Sequence, residues 1–285
     1  MQHRIPRLFL RSLAACVPAL GLLVAFGPAV GATTTGPASA RAAARAALRE
    51  LTVGQHPTNQ RVPGHTAGIG GLTQVRSLNW AGYADDHSAG NTYATVTGNW
   101  TEPSVSCTSK TSYAVFWTGI DGYSSNSVEQ DGTLAQCYHG VAYYYTWWEM
   151  YPTNSIQTVG SSVRPGDSIS ASVVRSGTSY TLSITDSTHP ANSFSTTQTC
   201  SNCANSSAEW IAEAPSSGGR ILPLANFGSW SASGATVKSG STSGVISTFP
   251  DDEITMVDSS GNIKAQPGAL NGSGNGFTVT WKRST

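Results

Sequence analysis

Tyr113-Ala-Val-Phe-Trp-Thr-Gly-Ile-Asp-Gly122, followed eight residues later by Gln130, decides how the rest of the chain is read. Tyr113 to Trp117 is aromatic and β-branched, the texture of a buried strand. Gly119 and Gly122 then permit backbone shapes that other residues resist. Asp121 lies between them, where a strand hands over to a loop. Binding and catalytic groups concentrate at such hand-overs. Alone, the stretch is equally satisfied by a core strand closing in an Asp-Gly turn. Two later stretches, Trp147-Trp-Glu-Met-Tyr-Pro152 and Ala208-Glu-Trp-Ile-Ala-Glu213, weigh against that plainer reading.

The same texture continues on both sides. From about Leu78 the chain reads as strands: Tyr93-Ala-Thr-Val-Thr97, Val141-Ala-Tyr-Tyr-Tyr-Thr-Trp147, Ser168-Ile-Ser-Ala-Ser-Val-Val174 and Ser179-Tyr-Thr-Leu-Ser-Ile-Thr185. These alternate or run apolar over strand lengths. Ile246-Ser-Thr-Phe249, Glu253-Ile-Thr-Met-Val257 and Phe277-Thr-Val-Thr-Trp281 read the same way. Arg164-Pro-Gly-Asp167 is a turn, and Ser176-Gly177 a short hairpin connection. Many short antiparallel strands with almost no helix give an all-β sandwich or closed barrel.

Of 285 residues, 11% are charged and 39% hydrophobic, with eight Trp, so there is ample material for a core. The net charge of zero is unevenly spread: residues 1–72 hold seven basic residues and one acid, a net +6, and the remainder is −6. That remainder has no basic cluster to neutralise phosphates, so no nucleic-acid partner is expected. Arg4, Arg7 and Arg11 ahead of an apolar run, with small residues at Val30-Gly-Ala32, mark residues 1–32 as a secretory signal. Pro18, Gly21, Gly27 and Pro28 interrupt that run, so no retained membrane anchor is expected. Residues 33–72 read as a propeptide and linker, with a helix over 41–55 and a polar, Pro- and Gly-containing stretch from Gly54 to about Gly71. Residues 73–285 are the folded domain. The leader arginines are expected to dock on a carboxylate-built cleft and to leave as acid neutralises it.

Cys16 leaves with the signal. Cys107, Cys137, Cys200 and Cys203 remain, an even number in an exported chain. The favoured pairs are Cys107–Cys137 around the opening stretch and Cys200–Cys203 across one turn, with a zinc site at the second pair as the rival.

Familiar nucleophile, zinc-protease and phosphate-loop motifs are missing. What remains is carboxylates and amides among aromatics. On a strand Trp147, Glu149 and Tyr151 share one face, and Glu209, Ile211 and Glu213 lie opposite Trp210. A carboxyl beside bulky apolar groups loses hydration and its pKa rises, which suits acid or base chemistry. An exposed sheet face with carboxylates in water is the plainer alternative.

Asn79-Trp-Ala-Gly82, Trp117-Thr-Gly-Ile-Asp-Gly122, Gln130, Trp147-Trp-Glu-Met-Tyr-Pro152 and Ala208-Glu-Trp-Ile-Ala-Glu213 together resemble the marks of the glutamic peptidases, or eqolisins, in a secreted, bacterial-type form. The resemblance covers about 78–285. It implies a sandwich of two curved antiparallel sheets of concanavalin or jelly-roll type. It also implies a Gln/Glu catalytic pair at Gln130 and Glu209, and cleft residues Trp80, Trp117, Asp121, Trp147, Glu149 and Tyr151. The residues after Gln130, Asp131-Gly-Thr-Leu134, depart from the family's pattern, and Gln136 is the other glutamine of this stretch. The implied activity is a secreted, monomeric endopeptidase working on polypeptides at acid pH. It uses no metal, cofactor or covalent intermediate, and its own propeptide inhibits it. A sandwich glycoside hydrolase using two carboxylates, and a non-catalytic carbohydrate-binding module, are the alternatives that an aromatic groove also allows.

Overall fold

The structure, a computed structural model, describes residues 37–54, 61–67, 73–86 and 92–285, with 61–67 as backbone only. The signal read over residues 1–32 lies outside them. Two sheets pack face to face. The first runs, strand by strand across its width, Arg61–Ala67, Thr73–Ser77, Asp252–Val257, Trp80–Asp85, Ala208–Glu213, Ser112–Ile120, Val128–Tyr138, Val141–Tyr151 and Asn154–Thr158. All of these pairs are antiparallel except Thr73–Ser77 with Asp252–Val257. The second runs Phe194–Thr199, Ser179–Asp186, Ser168–Ser176, Tyr93–Thr101, the later half of Ser229–Ser239, and Thr242–Gly244.

Ser229–Ser239 belongs to both sheets. Its first half pairs with Phe277–Trp281 and its second with Tyr93–Thr101, the register breaking between Ser233 and Thr236. Gly234 sits in that break at φ +56, a left-handed shape in which a Cβ is strained. A bulge there lets one strand turn the corner of the sandwich. The core between the sheets is centred on Trp230. Its ring stacks on Phe116 at 5.5 Å and meets Trp100 and Phe277 edge-on at 5.9 and 5.8 Å. Val96, Ile169, Val173, Leu182 and Ile184 fill the second sheet's side of it, each an alternate residue of its strand.

Ser112–Ile120 and Ala208–Glu213 are buried at every position. A strand that alternates faces becomes continuously buried only when both faces of its sheet are covered. The second cover is the leader. Ala44, Leu48, Leu51 and Val53 are buried against Trp80, Trp117, Trp147, Tyr143, Tyr145 and Ile156 on the sheet face away from the core.

Three sequence expectations change here. The helix spans Pro37–Ala47 rather than 41–55. It tightens into a single 3-10 turn over Leu48–Glu50, and Leu51 is extended. Burial of Leu51 and Val53 in the aromatic face outweighs the propensity that would carry the helix onward. The linker read over 54–71 contains a strand, Arg61–Ala67, paired with Thr73–Ser77. Ile246–Thr248 is a 3-10 turn, not a strand: Val245 N–H bonds to Thr248 Oγ1, a local alternative to a ladder. Disulfides join Cys107 to Cys137 and Cys200 to Cys203. The Cys200 and Cys203 sulfurs are thus bonded to each other rather than free to bind zinc.

Candidate active site

Cross-strand register arranges the leader-covered face in four rungs. Tyr113, Gln136 and Tyr143 form the first. Glu213, Val115, Leu134 and Tyr145 form the second. Ile211, Trp117, Gly132 and Trp147 form the third, and Glu209, Gly119, Gln130 and Glu149 the fourth. Trp80 lies opposite Glu213 on the neighbouring strand. Residues whose numbers differ by two share a face, which is why both glutamines and all three glutamates gather here.

Gln130 is fully buried and donates from Nε2 to Glu149 Oε2 at 2.8 Å. A carboxamide has two N–H donors, so one remains for another acceptor. Gly119 makes room for this: a Cβ there would stand 2.9 Å from Gln130 Cβ and 3.2 Å from Trp117 Cζ3. Glu149 is fully buried, and burial raises its pKa well above the usual range, with the nearby Glu213 charge adding to the rise and Gln130 opposing it.

Glu213 accepts hydrogen bonds from Trp117 Nε1 at 2.9 Å, Asn79 Nδ2 at 3.3 Å and the backbone N–H of Gly54 at 2.8 Å. Burial raises its pKa to about 8 against the lowering effect of those donors. Trp80 and Trp117 pack edge-on at 5.0 Å beside it. The same Gly54 reaches the glutamine: a Cβ built on it would stand 2.1 Å from Gln130 Nε2. Its carbonyl oxygen lies over Gly122, where a Cβ would approach it to 2.4 Å. One residue of the leader therefore lies between the Gln130 amide and the Glu213 carboxyl.

Glu209 shares the fourth rung with Gln130, but its surroundings differ. Burial raises its pKa well above the usual range, with Asp121, Asp86 and Glu129 adding to the rise and Ser207 opposing it. None of these is a leader residue. Asp121, at φ +71, accepts from Ser127 Oγ, the Asn205 and Ser206 N–H groups and Ser206 Oγ at 2.7–3.0 Å. It ties two loops together rather than facing the cleft open-handed. Trp147 lines the leader-covered face, and Tyr151 is partly exposed one rung beyond Glu149, opposite Val128. The sequence reading placed Glu213 on the same face as Glu209 but gave it no role of its own, and did not single out Asn79 as its partner. Both lie within the quoted motifs.

Arg45 donates to Thr158 Oγ1 and O at 3.2 and 2.9 Å, and Arg41 donates to the Ser161 carbonyl with its guanidinium 5.2 Å over the Tyr143 ring. Among the described residues no ion pair joins a leader arginine to a carboxylate. The leader's described contacts are therefore apolar packing and hydrogen bonds rather than ion pairs to the cleft carboxyls, which are buried.

Residues 78–280 match the model of the Peptidase A4 family. Aspergillopepsin-2 of Aspergillus niger is 29% identical over 282 residues, 89% of this chain and 94% of that protein. The crystal structure of aspergilloglutamic peptidase from Aspergillus niger is similar with a TM-score of 0.52 and 26% identity, covering 60% of this chain and 99% of that one. Scytalido-glutamic peptidase, solved with a peptide-based transition-state analogue, shares the fold at a TM-score of 0.58 and 23% identity over 72% of this chain and 98% of that one. A match to peptidases along most of the chain decides among the three readings of the aromatic groove. This chain belongs to the Peptidase A4 family, the glutamic peptidases or eqolisins, and is a glutamic endopeptidase.

Proposed function

We propose that the protein is a secreted acid endopeptidase whose catalytic pair is Gln130 with Glu213, held shut by its own leader. The observation that carries this is Gly54, whose N–H donates to Glu213 and on which an added Cβ would stand 2.1 Å from Gln130 Nε2. A substrate residue in that position would have its peptide group between a carboxyl and an amide donor. Glu213, ionised, takes a proton from water as the water attacks the carbonyl carbon, then returns it to the leaving amine. The free N–H of Gln130 donates to the oxyanion, and Glu149 fixes the direction of that amide. The Trp117 and Asn79 donors favour the ionised carboxyl.

Glu209, the residue expected from the motif, becomes in this reading a buried acid opposite Gly119, its burial favouring the protonated form. The leader inhibits in two ways. It fills the cleft, and it dries Glu213, whose burial is the largest cause of its raised pKa. Leader departure rehydrates the carboxyl and brings its pKa down toward the acid range, where it can act as a base. Secretion is supported by the signal-like residues 1–32 and by two disulfides. Among the described residues no helix is long and apolar enough to cross a membrane.

Incubating the full chain in acid and following loss of residues 37–54 by mass spectrometry tests this reading. Digestion of a denatured protein should begin only as the leader is lost and should persist in a metal chelator. Chelator-sensitive activity restored by zinc, or full activity with residues 37–54 still attached, would overturn it. Within the same reading, Gly119→Ala should lower kcat by about 10- to 100-fold, because its Cβ displaces the stem of Gln130. Steady-state kinetics beside a thermal melt checks that expectation. Unchanged kcat would mean that the position of Gln130 does not matter.

A further inference from the structure

The leader does more than cover the catalytic pair. It crosses all four rungs, from Gln136 at one end to Gln130 at the other. Ala44 lies ten residues before Gly54 in the chain. The Ala44 carbonyl accepts from Gln136 Nε2 at 3.0 Å. Gln136 is fully buried and sits in the rung between Tyr113 and Tyr143. Ala44 and Leu48, four residues apart on the helix and its closing turn, belong to the same apolar cluster as Tyr113, Tyr143, Tyr145 and Ile156. At the other end Gly54 reaches the catalytic pair. The far half of the groove is therefore a second recognition surface. It is shaped for a helical turn and carries its own polar anchor.

We infer that, once the leader has left, the groove of Tyr113, Gln136, Tyr143, Tyr145 and Ile156 is an exosite for substrate. It captures the part of a polypeptide lying N-terminal to the scissile bond when that part forms an amphipathic helical turn. The inference rests on the catalytic reading above and on substrate lying in the leader's direction. The occupant is defined by what the groove now holds. It has small or aliphatic residues four apart on a helical turn, a backbone carbonyl for Gln136, and two guanidinium groups, one to cover Tyr143 and one to reach Thr158. An empty aromatic groove that binds a helix face follows a general mode of peptide recognition. Gln136 is then a specificity-determining residue for long substrates. It has no place in the chemical step.

The test uses the acid-activated protein and a fluorescent peptide copying residues 37–50, which lacks the cleft-filling part. Anisotropy should report binding. It should weaken about tenfold or more in Gln136→Ala or Tyr143→Ala, and likewise when the peptide carries Leu48→Asp, a change that cannot disturb the enzyme's folding. A short fluorogenic substrate spanning only the cleft should keep its kcat and KM in Gln136→Ala. A substrate extended upstream with residues 41–50 should have a KM about tenfold lower than the short one in wild type, an advantage lost in that variant. No binding by the peptide, or binding indifferent to all three changes, overturns the exosite whatever the turnover. Sound peptide binding without cleavage of either substrate instead overturns the catalytic reading.

Discussion

Glu213→Gln should abolish turnover, lowering kcat by about 10³-fold or more, while Glu209→Gln leaves it within about threefold of wild type. Gln in place of Glu213 is the same size and keeps the bond from Trp117 through its one carbonyl oxygen, losing only the acceptor for Asn79, so the cleft should keep its shape, but a carboxamide cannot take a proton from water. Burial favours the neutral form of Glu209, so replacing it with an uncharged residue of the same size should change little. Gln130→Ala should cost about 10²- to 10³-fold, as expected for an oxyanion donor. Glu149→Gln should cost less, because Glu149 orients Gln130 and has no part in the proton transfer. The check is kcat for each acid-activated variant, beside a melting curve to establish folding. Loss of activity in Glu209→Gln with Glu213→Gln active would return the catalytic role to the residue that the motif alone suggested.

The folded domain should be most stable in acid and lose stability steadily toward alkaline pH. Burial raises Glu102 to about 8 and, with the neighbouring Asp121 charge adding to it, Glu129 to about 10. Asp85 and Asp131 are also driven well above the usual carboxyl range, chiefly by burial. These groups ionise near pH 4 in the unfolded chain. A group whose folded pKa is raised contributes stability that is fully present below the unfolded pKa. That stability is lost as pH climbs, here from about 4 through about 8 for Glu102 and about 10 for Glu129. A carboxyl kept neutral to about pH 8 costs on the order of 5 kcal/mol there, comparable to the whole stability of a domain. Glu102, Glu129, Asp85 and Asp131 do not depend on the leader for their burial partners, so the decline should persist after activation. Melting temperatures from pH 3 to 9 check this. Glu102→Gln and Glu129→Gln should each flatten the slope, and a melting temperature higher at pH 8 than at pH 4 would refute it.

The sequence determined which residues meet and on which side. Strand period two put Trp147 and Glu149 on one face and Trp148 on the other. It likewise put Glu209 and Glu213 together opposite Trp210, and the register bears this out rung by rung. Five short motifs in order were enough for the family. Alternation could not say which rung a carboxyl occupies, because Glu209 and Glu213 have the same parity and the same residue type. Only the neighbours brought by other strands and by the leader separate them. Trp117 and Asn79 donate to Glu213. Around Glu209 lie further acids. The leader's destination was equally hidden. Arg41, Arg45 and Arg49 stood out as charge, so a charged latch was expected. The contacts that hold the segment come from Ala44, Leu48, Leu51, Val53 and the Gly54 backbone, and Arg41 and Arg45 reach neutral acceptors rather than carboxylates. Charge is visible along a sequence at any distance. Apolar complementarity and a backbone hydrogen bond exist only once two surfaces have been brought together, and that was decided by the tertiary structure.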